Sequence, residues 1–328
     1  MQTESILRAL ADPTRMRIMR LVQRMELSVG ELAQVLGQSQ PRVSQHVAKL
    51  VDSGLVHRHR EGSWVFLRCA TRAAGTPLHD AAARLLATAE NEDESFGEQC
   101  RSDRDRLGMI RTAREADAQD YFARHADEWD EMRAMLGPGE PVESAILAAL
   151  DGHAPGRLAD IGTGTGRIAE LLVKHTDHLV GVDKSPDMLR LARARLQHVE
   201  ESIELVQGDF SALPFPAASF DTVVFHQVLH FAADLAAPLA EAARICRPGG
   251  RIVIADLAAH TLEDMRSRHA HTRLGFTADG MAEALRAAGF EPHEAVELGG
   301  SQLVTMIWTA TRCPASPSNT DTARTIAR

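Results

Sequence analysis

The sequence predicts a multidomain chain. A small, mostly α N-terminal domain closed by a β-hairpin precedes a larger α/β domain built on a doubly wound parallel sheet. Three observations carry this. A glycine-rich stretch from Leu158 to Gly166 lies between a short apolar strand and a helix. After it, apolar strands and amphipathic helices alternate to about residue 312. Before it, residues 1–72 carry eleven Lys and Arg against six Asp and Glu, while the rest of the chain nets −14 and the whole −9. A small basic module on an acidic body confines any nucleic-acid footprint to the N-terminal part.

A length of 328 residues with 44% apolar composition supports two cores. No apolar run approaches a membrane span, and the polar start Met1-Gln2-Thr3-Glu4-Ser5 has no leader pattern. Cys69, Cys100, Cys246 and Cys313 are scattered, without a Cys-x-x-Cys pair. Free thiols of this kind fit a reducing cytoplasm, which is the expected location.

In the N-terminal part, residues 4–24 read as helical, with Ile6, Leu7, Leu10, Met16, Ile18, Met19, Leu21 and Val22 facing a core. Asp12-Pro13-Thr14 interrupts the pattern, and Pro13 suits the start of a second helix. Val29 to Leu36 is a short helix closed by Gly37, and Ser39 can cap the helix that runs to about Ser53. In that helix Val43, Val47, Leu50 and Val51 recur at core spacing. The opposite face carries Gln40, Arg42, Ser44, Gln45, His46 and Lys49, which can reach base edges and phosphates in a major groove. Leu55 to His59 and Trp64 to Arg68 form a hairpin, a basic wing with Arg58 and Arg60. Two helices joined by a glycine turn, with a polar second helix, make a helix-turn-helix; a helical interaction domain with a solvated face is the alternative.

The wording chooses between them. Ala9-Leu10-Ala11-Asp12-Pro13-Thr14-Arg15, Glu31-Leu32-Ala33, Ser39-Gln40-Pro41-x-Val43-Ser44-x-His46 and Arg60-Glu61-Gly62-x-Trp64-Val65 resemble the ArsR/SmtB-type winged helix-turn-helix regulators over about residues 3–90. The resemblance implies a homodimer that binds a double-stranded DNA operator. Metal-sensing members carry a cysteine pair before the turn, but Ser28 and Gly30 stand at the corresponding positions. Soft thiolate ligands are missing there, and His79-Asp80 is a thin substitute, so no metal site is expected.

The polar break Asn91 to Ser95 marks the boundary: residues 1–92 form the DNA-binding domain and 93–118 a solvated helical linker. Residues 119–312 form the α/β domain, and the Ser/Thr/Pro-rich 313–328 a disordered tail. Arg157–Ile161, Leu179–Val182, Ile203–Val206, Thr222–His226 and Arg251–Asp256 read as strands, with helices at 167–175, 188–197, 235–246 and 281–288. Further strands are expected near Glu291–Leu298 and Leu303–Thr311.

The glycines at 162, 164 and 166 make a tight turn that lets a ligand approach the backbone, and Asp183 ends the next strand, placed to accept from ribose hydroxyls. Gly-x-Gly-x-Gly departs from the dinucleotide spacing Gly-x-Gly-x-x-Gly. With Val182-Asp183-x-Ser185-Pro186-x-Met188-Leu189, Gly208-Asp209-Phe210-x-x-Leu213-Pro214-Phe215, Phe220-Asp221-x-Val223-Val224 and Arg247-Pro248-Gly249-Gly250-Arg251, the pattern resembles the Rossmann-like class I S-adenosylmethionine-dependent methyltransferases. That resemblance implies S-adenosylmethionine, or S-adenosylhomocysteine as a ligand. It places the amino-acid part at Asp160 and the glycine loop, the ribose at Asp183, and the adenine against Met188, Asp209 and Phe210. Tyr121 to Asp130 resembles the segment that covers the cofactor, and reads equally as aromatic anchors on the core.

His226, at the end of the fourth strand, is the candidate base or acceptor contact; a structural histidine is the alternative. The cation-rich insertion Arg266 to Phe276 suits an anionic substrate group, a docked partner domain or solvent alone. Three readings follow: a repressor that senses S-adenosylmethionine or S-adenosylhomocysteine, an active small-molecule methyltransferase that regulates its own operon, and a methyltransferase merely dimerised by its N-terminal module. The basic recognition helix and wing argue against the third. The sequence leaves the first two open.

Overall fold

The computed structural model describes residues 2–25, 27–61, 64–70, 76–125, 139–152, 155–299 and 303–314. Helix α1 (Gln2–Leu10) buries Ile6, Ala9 and Leu10. At the start of α2 (Pro13–Val22) the Asp12 carboxylate accepts from the Arg15 amide at 3.0 Å, and Pro13 needs no partner for the N–H it lacks. Strand β1 (Leu27–Ser28) leads into α3 (Val29–Leu36) through a reciprocal cap: Ser28 Oγ accepts from the Glu31 amide while Glu31 Oε2 accepts from the Ser28 amide. Ser28, which the resemblance sets at a cysteine position of metal-sensing regulators, is thus spent on starting a helix. Gly37, at φ 63°, ends α3, and α4 (Gln40–Asp52) turns Val43, Val47 and Leu50 into the core. Ser39 occupies the cap position of α4 with extended backbone but makes no side-chain cap bond, a departure from the sequence reading.

Strands β2 (Val56–Glu61) and β3 (Trp64–Cys69) form the expected hairpin, and β1 joins β3 in a sheet of order β1-β3-β2. The turn residues 62 and 63 lie outside the described residues. Two helices follow, α5 (Pro77–Glu92) and the long α6 (Glu94–His125). His79 is buried in the first turn of α5, its Nδ1 3.3 Å from the Thr76 amide, so it serves that helix start.

The first half of α6 is not the solvated connection expected for residues 93–118. Phe96, Cys100, Asp103 and Leu107 recur at helical spacing and are all buried. Asp103 accepts from Arg17 Nε at 2.7 Å, and Glu90 of α5 pairs with both Arg20 and Arg104. Buried charges that pair across helices make the stripe read as polar, which hid it in the sequence.

The larger domain opens with α7 (Gly139–Leu150), which sequence reading passed over, and continues as β4 (Arg157–Ile161), α8 (Arg167–Leu172), β5 (His178–Asp183), α9 (Pro186–Leu196), β6 (Ile203–Gln207), β7 (Phe220–His226), α10 (Ala236–Ile245) and β8 (Cys246–Leu257). Then come α11 (Asp264–His269), α12 (Ala278–Ala287), β9 (Phe290–Pro292), β10 (Val296–Leu298) and β11 (Thr305–Arg312). The sheet runs β10-β11-β8-β7-β4-β5-β6, with β9 on β11. Its core pairs are parallel, but β11 runs antiparallel to β8, so the sheet is mixed. The link between β10 and β11 is too short for a crossover helix and returns the chain antiparallel, so β9 and β10 both lie antiparallel along β11.

Alternate residues supply the two covering layers. Ala159, Ile161, Val223, Phe225, Ile252 and Ile254 pack on one face; Leu158, Val224, Val253 and Ala255 pack on the other. Both faces are dry, as unbroken apolar strands require. The first turns after β4, β5 and β7 therefore meet at one edge, where an α/β sheet holds ligands. Of the expected tail, residues 313–328, all but 313 and 314 lie outside the described residues.

Candidate functional site

The loop after β4 is fixed by its own amides. Gly162 and Thr163 donate to the Val182 carbonyl at 2.8 and 2.9 Å, and Gly166 donates to the Thr163 carbonyl at 2.9 Å. All three glycines have positive φ, at 75°, 54° and 81°. At Gly162 the reason is steric as well: a Cβ there would lie 2.4 Å from Val228 Cγ2. Gly162→Ala is expected to cost about 1–3 kcal/mol in strained backbone alone. Thermal melting checks this, and an unchanged midpoint would refute it.

Around this loop the structure gathers a cavity of about 330 Å³. Its lining includes Asp160, Gly162, Gly164, Asp183, Met188, Asp209, Phe210 and His226, all singled out from the sequence. Gly166 is not in the lining; it starts α8, and a Cβ there would press on Leu196 at 2.8 Å. Asp160 is buried and accepts from Thr163 Oγ1 at 2.7 Å. The Asp183 carboxylate is held at both oxygens, by the Gly164 amide and the Ser185 amide at 2.8 Å each. Burial pushes its pKa up, against the pull of those backbone donors. Burial acts on Asp209 in the same direction, but Lys184 Nζ at 2.8 Å and Ser211 outweigh it and hold the carboxyl below the usual range.

His226 ends β7, and Gln227 beside it adopts a positive φ of 50° while its amide donates to the Ala255 carbonyl. Sequence reading missed what lies behind this turn. His230 Nδ1 meets Asp256 Oδ1 at 2.6 Å, both residues are buried, and Asp256 Oδ2 accepts from the Leu229 amide at 2.9 Å. The His230 carbonyl accepts from the amides of Thr272 and Arg273, so this pair pins the insertion that borders the cavity. His271 stacks on His230 at 4.1 Å between centroids, and burial and the neighbouring His230 keep it neutral. Lys184, Met25 and Glu31 also line the cavity and were not foreseen. Lys184 could have been noticed as a cation beside Asp183; nothing in the local pattern points to Met25 or Glu31.

At the other end of the chain, Gln40, Arg42, Gln45 and Lys49 are exposed on α4 and Ser44 is half-buried. Arg58 and Arg60 are exposed on β2. His46 is turned from that face: its Nδ1 lies 3.4 Å from Asp12 Oδ1. Burial lowers its pKa, as do Arg15, Lys49 and Arg42, with Asp12 opposing. Cys69, Cys100 and Cys246 are buried free thiols, and burial pushes Cys246 up to about 12, which keeps it protonated. No described helix is long and apolar enough to cross a membrane.

Residues 159–254 match the family model of a methyltransferase domain, and residues 12–58 match that of the bacterial regulatory protein, arsR family. The chain joins an arsR-type helix-turn-helix to a methyltransferase domain. A demethylmenaquinone methyltransferase of Deinococcus radiodurans is 36% identical over 140 residues, 42% of this chain and 58% of that protein. A malonyl-[acyl-carrier protein] O-methyltransferase of Serratia marcescens is 31% identical over 144 residues, 44% of this chain and 54% of that protein. The chain thus spans little more than half the length of these relatives. Among solved structures, a chain from the Haloferax volcanii complex of the Trm112 methyltransferase activator with a methyltransferase matches at a TM-score of 0.51 and 21% identity, covering 59% of this chain and 98% of that one. That likeness concerns the fold of the methyltransferase domain.

Proposed function

We propose that the protein is a DNA-binding transcriptional regulator whose methyltransferase domain binds S-adenosylmethionine or S-adenosylhomocysteine, with operator affinity coupled to that ligand. The observation that carries this reading is the cavity in which the glycine loop meets Asp160, Asp183 and Asp209. Acidic side chains at a backbone cradle suit a ligand with an ammonium, a sulfonium and ribose hydroxyls. In this reading Asp160 and the loop at Gly162, Gly164 and Gly166 hold the amino-acid part, Asp183 the ribose, and Met188, Asp209 and Phe210 the adenine. S-Adenosylmethionine supplies an electrophilic methyl group when bound, and holding an acceptor in line supplies most of the catalysis.

The two relatives described above are enzymes by name, which favours a second reading: methyl transfer to a small-molecule acceptor, with His226 as base. Calorimetric titration with both cofactor forms, followed by operator binding in the presence of each, separates sensor from enzyme. We divide the chain as 1–92, 93–118, 119–312 and 313–328, with the first half of the connecting helix seated on the regulatory core. A homodimer is what the match to the arsR family suggests, with Leu7 and Leu85, exposed on α1 and α5, as candidate contacts. Cytoplasmic location goes with DNA binding.

Operator contact is assigned to Gln40, Arg42, Ser44, Gln45 and Lys49, with Arg58 and Arg60 on the wing; His46, drawn to Asp12, is left out of it. Arg42→Ala is expected to weaken operator binding by about 1–3 kcal/mol. A mobility shift equal to wild type, with the fold intact, would remove α4 from the groove.

A further inference from the structure

The cavity is not built by the methyltransferase domain alone. Met25 and Glu31, from the segment around β1 and the start of α3, line it together with Asp160, Asp183, Phe231 and Thr272. The two parts of the chain are tied together beside it. Arg273, next to Thr272, lays its guanidinium 4.3 Å over the ring of Phe66 in β3, and Arg68 reaches Glu283 at 3.2 Å. Glu31 is also the residue that closes the reciprocal cap of α3, with Oε2 accepting from the Ser28 amide at 2.9 Å and from Ser28 Oγ at 3.0 Å. A ligand in the cavity therefore meets the first turn of the helix that leads, through Gly37, into the recognition helix.

We infer that the regulatory segment forms one wall of the ligand cavity, and that Met25 and Glu31 carry occupancy of the cavity to α3 and α4. This rests on the cofactor reading above and names the regulation of that same site. The chemistry of the occupant follows from the lining. Among the described residues, Glu31, Asp160, Asp183, Asp209 and Asp234 face one lysine, Lys184. Such a wall accepts hydrogen bonds and repels anions, so the part of the ligand held against Glu31 is a neutral or cationic donor, an amine or a hydroxyl group, rather than a carboxylate or phosphate group. A donor that engages the Glu31 carboxylate draws on the same group that holds Ser28, and so bears on the start of α3. That differential contact is what coupling requires.

Hydrogen–deuterium exchange on the full chain, with and without saturating S-adenosylhomocysteine, tests this. The ligand should slow exchange in peptides over 158–168 and also, by about fivefold, in peptides over 27–36. Two variants follow: Glu31→Gln keeps a side chain that can complete the cap, and Met25→Ala leaves the cap untouched. With ligand raised in each until the 158–168 response is complete, both should lose most of the 27–36 response. Protection of 158–168 alone in the wild type, or an undiminished 27–36 response in both variants, would overturn the inference and leave the cofactor reading standing. No protection in either stretch would remove the cofactor reading, and this inference with it.

Discussion

Replacing Asp183 with alanine should weaken S-adenosylhomocysteine binding by on the order of 1–3 kcal/mol, roughly 5- to 150-fold, in calorimetric titration. The side chain is already oriented before any ligand arrives, since Gly164 and Ser185 donate to its two oxygens at 2.8 Å. A preset acceptor loses little freedom on binding, so its removal is felt almost entirely in the complex. The variant also frees the Gly164 amide, and the loop loses one of its ties. Asp183→Asn should lie between, because one oxygen remains. Because burial raises this carboxyl above its ordinary value, wild-type affinity should begin to fall on acidification sooner than a solvated aspartate would dictate. An affinity unchanged in the alanine variant would sink the assignment of Asp183 to the ribose.

The second large effect concerns stability. Asp256→Ala should destabilise the protein by roughly 3–5 kcal/mol, lowering the melting temperature by ~10 °C. Asp256 is fully buried and accepts from Leu229 N at 2.9 Å, His230 Nδ1 at 2.6 Å and Leu257 N at 2.7 Å. Alanine strands three donors where water does not reach. Asp256→Asn retains an acceptor oxygen and should lose clearly less. Two variants that melt alike, near wild type, would show that these bonds contribute nothing net. The loss should also loosen the insertion at Thr272 and Arg273, which hangs on the His230 carbonyl.

What the sequence made legible was local. The glycine loop, the strand-end Asp183 and the apolar runs of β4, β5 and β7 each depend on a few adjacent residues, and each stands within a residue or two of its expected place. The two-domain order was legible for the same reason. Less visible were features made by residues far apart in the chain. Asp256 and His230 lie 26 positions apart, and neither strand nor turn pattern pairs them. Arg17 and Asp103 lie 86 apart, and a helix rich in paired charge looks solvated until its partners are seen. His46 belonged by spacing to the exposed face of α4, yet the cap residue of another helix, Asp12, draws it in. The antiparallel return from β10 to β11 follows from a link length that only exact strand ends reveal.

The seating of α6 bears on how this protein can be taken apart or recombined. The regulatory core includes Leu107, and Asp103 and Glu90 neutralise Arg17 and Arg20 within it. A fragment cut at the polar break near residue 92 leaves an arginine without its acid and a greasy groove open to water. Swapping one half for a homologue's must carry the helix through at least Ile110, and the replacement has to present a matching surface at Met25 and Phe66. The halves differ in sequence pattern and match different family models, but they are not interchangeable parts.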